Sequence, residues 1–274
     1  MTLQKAGVIG YPVHHSKSPI IHNYWLKKYQ IKAEYKAFEV QPEGLRDFIS
    51  DLRTANFSGI NVTVPHKVAV MDCVDELSDA AKNAGAVNTV IVKENGTLLG
   101  HNTDGFGFLA NIQEKKTDFN VKQKPVVVLG TGGAARGICA ALISAGAPEI
   151  RLVYRTKEKA ENIALSIGGN FRLIEWSQKE KTLREAGLLA NATTLGMNGF
   201  DPLEIDLSAL DSEAVVADLV YSPLQTELLK QAEQKGYIAA DGLGMLLHQA
   251  RPAFQAWFGI MPEITEELRE LVLK

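Results

Sequence analysis

The stretch PVVVLGTGGAARGICAALISAG, Pro125 to Gly146, decides the fold. Val126 to Leu129 form an apolar run without polar alternation, as in a strand of a parallel sheet covered on both faces. Gly130, Gly132 and Ala135 follow at G-x-G-x-x-A spacing. An Ala-rich helical run then ends at Gly146, a residue suited to the C′ position. Gly130 allows the tight turn, and Gly132 lets the backbone approach a pyrophosphate. Ala135 is small enough for the helix to pack on the sheet with its N-terminus toward the phosphates. The spacing alone would also suit a plain strand–helix turn. With strand, loop, helix and following strand all in order, it reads as a dinucleotide-binding loop. DGFGF at Asp104–Phe108 is a decoy, because no apolar strand leads into its glycines in the right phase.

Working outward, EIRLVYR, LLANAT, AVVADLVY and YIAADG read as further strands, alternating with helical segments such as TELLKQAEQKG. Upstream, AGVIGYP, AEYKAFEV and GINVTVP read as strands, separated by the helical SPIIHNYWLKKYQ and EGLRDFISDLRTA; HKVAVMDCVD then reads as helical. This alternation predicts an α/β protein with largely parallel sheets. AVNTVIV and TLLGHNTD flank Glu94-Asn95-Gly96, a hairpin signal and one antiparallel exception. At 274 residues, two domains are expected. The polar run EKKTDFNVKQK, Glu114 to Lys124, reads as the connection. The terminal helices GMLLHQARPAFQAWFG and PEITEELRELVLK have no strands of their own to cover and are expected to dock back on the first domain.

The 29 basic and 32 acidic residues give a net charge of −3, so nothing electrostatic points to nucleic acid or an anionic membrane. Cys73 and Cys139 lie in unrelated apolar contexts without C-x-x-C spacing or clustered histidines. Neither a metal site nor a disulfide framework is expected, and a reducing cytoplasm is the simplest location. No run approaches the ~18 apolar residues of a membrane span.

The end of the second strand of the nucleotide domain bears on which cofactor binds. An NAD site carries an acid there for the ribose 2′-hydroxyl, whereas this chain has Arg155, Thr156 and Lys157, which suit a 2′-phosphate. A solvated basic helix start is the plainer reading of the same residues. Hydride chemistry belongs to the cofactor, so the protein must supply a substrate clamp and a proton carrier. In HHSKSPI, Ser16 and Ser18 precede Pro19. Ser18 is expected as a helix N-cap with Pro19 first in the helix, and the two hydroxyls at that helix start could seat a small carboxylate. In GINVTVPHK, Lys67 sits where a helix dipole disfavours a cation, which asks for a functional reason. His66 is the commoner acid–base residue type, yet no carboxylate lies nearby in sequence to orient it, and it reads as packing or surface. Asp104 in GHNTDG is expected to close another strand.

SKSP, NVTVPHK, AVNT, NTDG, GTGGAA, NATTLGM and DGLGMLLHQA, in this order, resemble shikimate dehydrogenase, and the resemblance covers essentially the whole chain. It implies an N-terminal substrate-binding α/β domain, residues 1–104 plus 243–274, and a Rossmann-type NADP-binding domain, residues 105–242. The implied reaction is reversible oxidation of shikimate to 3-dehydroshikimate with NADP. Lys67 and Asp104 would be the catalytic pair. Ser16 and Ser18 would take the carboxylate, Thr63, Asn88 and Gln249 would hydrogen-bond the substrate, and Tyr221 would lie near substrate and nicotinamide. Gly130, Gly132, Gly133, Ala134, Arg155, Thr156 and Thr193 would line the cofactor site, with Gly242 and Met245 at the nicotinamide. A homodimer is compatible with the resemblance. Two departures are Tyr154, in place of a usual Asn, and Arg251-Pro252, where small apolar residues are usual; Pro252 is expected to perturb its helix. Two other readings are a quinate/shikimate dehydrogenase using NAD and a non-catalytic NADP-sensing module. The latter would not need Lys67, Asp104 and the serine pair together.

Overall fold

The computed structural model describes residues 3–274. It divides into two compact units, one reaching Thr103 and joined by Leu247–Lys274, the other Asp104–Leu246. In the first unit, β1 (Gln4–Gly10), α1 (Ser18–Lys28), β2 (Ala33–Glu39), α2 (Leu45–Asp51) and β3 (Gly59–Val62) alternate along the chain. They are followed by β4 (Glu76–Leu77), α3 (Asp79–Ala84), β5 (Thr89–Val92) and β6 (Leu98–His101). The sheet order is β2-β1-β3-β5-β6-β4, with β5 antiparallel to both its neighbours. The β5–β6 connection is the hairpin predicted at Glu94-Asn95-Gly96, where the Lys93 N–H donates to the Thr97 carbonyl at 2.9 Å. Ile9, Ile49, Ile60, Val87, Val90 and Leu98 form a fully buried core between sheet and helices. The two-residue β4 had no legible signal.

The second unit runs α4 (Asp104–Lys115), β7 (Val126–Leu129), α5 (Gly133–Ser144), β8 (Ile150–Tyr154), α6 (Lys157–Ile167) and β9 (Phe171–Glu175). It continues with β10 (Leu188–Asn191), β11 (Val215–Asp218), α7 (Glu227–Gln234) and β12 (Ile238–Ala240). The order β12-β11-β10-β7-β8-β9 is all parallel and reverses at β7/β10, the doubly wound pattern whose ligands sit outside the strands' carboxyl ends. β9 was not expected. As an edge strand it mixes Arg172 and Glu175 with Phe171, Leu173 and Ile174, which blurs the apolar run.

Last come α8 (Gly242–Phe258) and α9 (Glu266–Leu273). As expected, the terminal helices pack on the first unit: the Trp257 indole N–H donates to the Val90 carbonyl at 3.1 Å, and Tyr24 meets Thr265 at 2.8 Å.

Several local expectations are corrected. Glu114 to Lys124 is not the interdomain connection: Glu114 and Lys115 finish α4, and the rest lies inside the second unit. α4 packs on α5, so closely that a Cβ on Gly105 would stand 2.4 Å from the Ala141 Cβ. The division therefore falls at Thr103/Asp104 and Leu246/Leu247, against expected limits of 104 and 242. Asp104 opens α4 rather than closing a strand, because β6 stops at His101. HKVAVMDCVD forms only turns and a 3₁₀ segment, Ala69–Cys73. α8 runs through Pro252 unbroken. Leu247, Ala250, Ala253, Phe254 and Trp257 are buried on either side of the proline, and such packing outweighs one lost backbone bond. Lys17, not Ser18, is the N-cap of α1, which places Pro19 second in the helix; the Ser18 N–H donates instead to Ser16 Oγ at 3.3 Å.

His22 on α1 is fully buried, stacked on Tyr35 with ring centres 4.2 Å apart and planes 1° from parallel. Trp25, Phe254 and Trp257 complete an aromatic cage, and neither imidazole nitrogen has a hydrogen-bond partner among the described residues. Burial pushes its pKa from 6.5 to about 3. Below pH 6.5 the unfolded chain therefore takes up a proton that the folded chain refuses, and stability falls progressively as pH drops toward 3. Between pH 7 and 5.5 this one residue should cost about 1 kcal/mol. Urea midpoints across that range should show a shallower acid limb in His22→Phe; an unchanged slope would assign the acid sensitivity elsewhere.

Candidate functional site

The first unit gathers its predicted residues at the carboxyl ends of β1, β3 and β6. The Thr63 N–H donates to the Ile9 carbonyl at 2.9 Å and the Tyr11 N–H to the Val64 carbonyl at 3.0 Å, which ties the two strand exits together. Beyond Pro65, His66 is buried and its Nε2 donates to the Val40 carbonyl at 2.7 Å; it is a packing residue with its donor spent. Lys67 is half-buried. Its own carbonyl accepts the Val87 N–H at 2.7 Å, which fixes this turn against the residue preceding Asn88.

Asn88 is almost fully buried, and its amide orientation is determined by its partners. Oδ1 accepts the Thr103 N–H at 2.9 Å and the Thr89 hydroxyl at 3.0 Å, so Nδ2 must be the group facing Thr103 Oγ1 at 3.0 Å. Gln249 Oε1 accepts from the Thr103 hydroxyl at 3.2 Å. On the other side, Asn61 Nδ2 donates to Thr89 Oγ1 at 3.1 Å, and Asn61 Oδ1 accepts the Tyr35 hydroxyl at 2.7 Å. Burial raises the Tyr35 pKa well above its usual value, so it stays a neutral donor.

A continuous polar chain thus runs Tyr35, Asn61, Thr89, Asn88, Thr103, Gln249. It joins two of the sequence-predicted substrate residues, Asn88 and Gln249, to four that were missed. A fully satisfied buried network of this kind rigidifies the groups at its ends. The legible signal for the missed residues was polarity inside strands: Asn61 within GINV and Thr89 at the head of TVIV. Asp104 is buried and follows Thr103 directly in the chain.

In the second unit the glycine loop connects β7 to α5. Gly130 has φ +104°, a left-handed conformation that favours glycine. A Cβ there would also approach Ala192 O and Thr193 Cγ2 at 3.0 Å, so the NATTLGM loop abuts the turn. Thr193 is held by its hydroxyl donating to Asn191 Oδ1 at 2.7 Å. Gly132 and Gly133 have nothing within 4 Å of a Cβ position, and no side chain caps α5. Open space before uncapped amides, beginning at Gly133 and Ala134, fits a pyrophosphate. Arg155 and Thr156 follow β8; Thr156 is the N-cap of α6, and its hydroxyl caps no amide. Together these residues fit a phosphorylated dinucleotide. Gly242 is packed on the Leu219 and Val220 carbonyls, and Met245 is buried. Tyr221 is half-buried, which raises its phenol pKa. Among the described residues no cluster could hold a metal, and no helix is long and apolar enough to cross a membrane.

Comparison with known proteins bears on these features. Residues 8–90 match the shikimate dehydrogenase substrate binding domain, residues 111–198 shikimate / quinate 5-dehydrogenase, and residues 242–273 the shikimate 5′-dehydrogenase C-terminal domain. The chain is 47% identical to shikimate dehydrogenase (NADP(+)) of Paramagnetospirillum magneticum, covering 98% of this chain and 97% of that protein. The crystal structure of shikimate 5-dehydrogenase from Thermus thermophilus in complex with NADP(H) and shikimate matches with TM-score 0.86 at 34% identity, covering 98% of each chain. Quinate dehydrogenase from Corynebacterium glutamicum in complex with NAD matches with TM-score 0.90 at 29% identity, covering 99% of each. On identity sustained over nearly its full length, the chain belongs to the shikimate dehydrogenase family.

Proposed function

We propose that this chain catalyses the reversible oxidation of shikimate to 3-dehydroshikimate with NADP, in aromatic amino-acid biosynthesis. The observation that carries the reading is the polar chain from Tyr35 to Gln249 in a member of this family. A small polyhydroxylated acid needs several fixed donors and acceptors, and a non-catalytic NADP-sensing module would need none of them. Ser16 and Ser18 receive the carboxylate; Thr63, Asn88 and Gln249 hydrogen-bond the substrate, with Tyr221 beside it. When bound, NADP supplies the hydride acceptor. In the oxidation direction the Lys67–Asp104 pair takes the hydroxyl proton, and in reduction it returns that proton to the carbonyl oxygen.

The quinate dehydrogenase relative sharpens the alternative. A preference for NAD would be served by a carboxylate at the end of β8, and here Arg155-Thr156 stand there instead. Initial rates of NADPH formation with shikimate should exceed those for NADH formation with quinate by at least an order of magnitude. Protein that binds NADP but gives no shikimate-dependent reduction would end the dehydrogenase reading.

Cys73 and Cys139 are both free, in keeping with a cytoplasmic enzyme. At the edge strand β2 the Asn23 carboxamide already pairs with the Tyr35 N–H and C=O at 3.2 and 2.9 Å, so strand-to-strand pairing of two copies along β2 would have to displace it.

A further inference from the structure

The parallel register of β8 and β9 pairs Tyr154 with Glu175. The next residue on each strand, Arg155 and Trp176, therefore leaves the sheet side by side at its carboxyl end. The Arg155 guanidinium lies 4.6 Å from the centre of the Trp176 ring, well inside cation–π range. Lys179 places a second cation 5.7 Å from the same ring, but it is already paired with Glu180 at 2.8 Å. Trp176 is half-buried and packs on the core that holds Val127, Leu129 and Val153, so the ring is anchored by the sheet. Among the described residues Arg155 has no carboxylate within ion-pair distance. A stacked, anchored cation without a counter-ion stands at the end of the second strand of a doubly wound sheet.

We infer that Trp176 is a specificity-determining positioning residue: by stacking the Arg155 guanidinium it holds that cation for the 2′-phosphate that distinguishes NADP from NAD. The inference rests on the reading of Arg155 as the 2′-phosphate ligand. An exposed arginine otherwise carries substantial side-chain entropy, part of which must be lost when it binds. A ring covering one face leaves the N–H edge of the planar guanidinium for oxygen acceptors, the geometry in which it binds phosphate. NAD has only a hydroxyl at this spot, so the stack contributes to one cofactor and not the other. The sequence concealed this pairing because Trp176 follows the one strand of this sheet that had no clear pattern.

The test is calorimetric titration of NADP, NAD, adenosine 2′,5′-bisphosphate and AMP into wild type, Trp176→Leu, Trp176→Phe, Arg155→Ala and the Arg155→Ala/Trp176→Leu double variant. Trp176→Leu should weaken NADP and the bisphosphate by about 3- to 30-fold, as a cation–π contact implies, and leave NAD and AMP within about twofold. Trp176→Phe, which keeps an aromatic face and guards against misfolding of the leucine variant, should fall between. In the Arg155→Ala background the leucine change should cost NADP nothing further. Equal losses of NADP and NAD, or a loss that persists without Arg155, would overturn the inference and make Trp176 a packing or adenine-binding residue. If Arg155→Ala itself weakens both cofactors equally, the 2′-phosphate reading fails, and this inference with it.

Discussion

Lys67→Met should lower kcat for shikimate oxidation by about 10²- to 10⁴-fold, the usual contribution of a positioned proton carrier, with shikimate affinity changed only a few-fold. Methionine keeps an unbranched chain of similar length and removes only the ammonium, so packing of the half-buried stem is largely preserved. The backbone here is held independently of the side chain, by the Lys67 carbonyl on the Val87 N–H and by the His66 side chain on the Val40 carbonyl. Thr63 and Asn88 should therefore stay in place, and the loss should appear in kcat rather than KM, as for an interaction made mainly in the transition state. Steady-state rates with saturating NADP, together with shikimate affinity from fluorescence titration, separate the two. A variant retaining near wild-type kcat would remove Lys67 from the chemistry. A large KM increase with kcat intact would make it a binding residue instead.

The parts of this chain that could be read in advance are those where one local pattern dominates. VVVL followed by G-x-G-x-x-A specified β7, the turn at Gly130 and α5 together, because an all-apolar strand and a positive-φ glycine leave few other solutions. Glu94-Asn95-Gly96 specified a hairpin for the same kind of reason. What could not be read depends on partners distant in sequence. Tyr35 looks like an ordinary strand aromatic until Asn61 is found on its hydroxyl. Thr103 is one more threonine in a loop until it bridges Asn88 and Gln249, which are separated by 161 residues. Pro252 failed as a helix breaker because tertiary burial on both sides outweighed a local penalty, and Asp104 moved from strand end to helix start because β6 is short. The site motifs of the first unit were therefore visible as short islands, and the hydrogen bonds joining them were not.

Arg155→Ala should weaken NADP by roughly 30- to 150-fold while NAD changes less than about threefold, because one or two charge-assisted hydrogen bonds of about 2–3 kcal/mol in total are lost to only one of the two cofactors. The residue is exposed, so part of its attraction is screened, and the NADP/NAD ratio of the wild type should fall as salt is raised. The same ratio in Arg155→Ala should be nearly insensitive to salt. Thr156 is compatible with this assignment: it heads α6 with a hydroxyl that caps no amide, so an incoming phosphate would meet a donor not used by the helix. Removing that hydroxyl as well, in Arg155→Ala/Thr156→Val, should bring the two affinities within about threefold of one another. Equal losses of NADP and NAD in the single variant would refute the 2′-phosphate role of Arg155. They would also leave any NADP preference without a source in the glycine loop at Gly130–Ala134, because a pyrophosphate bound there is common to both cofactors.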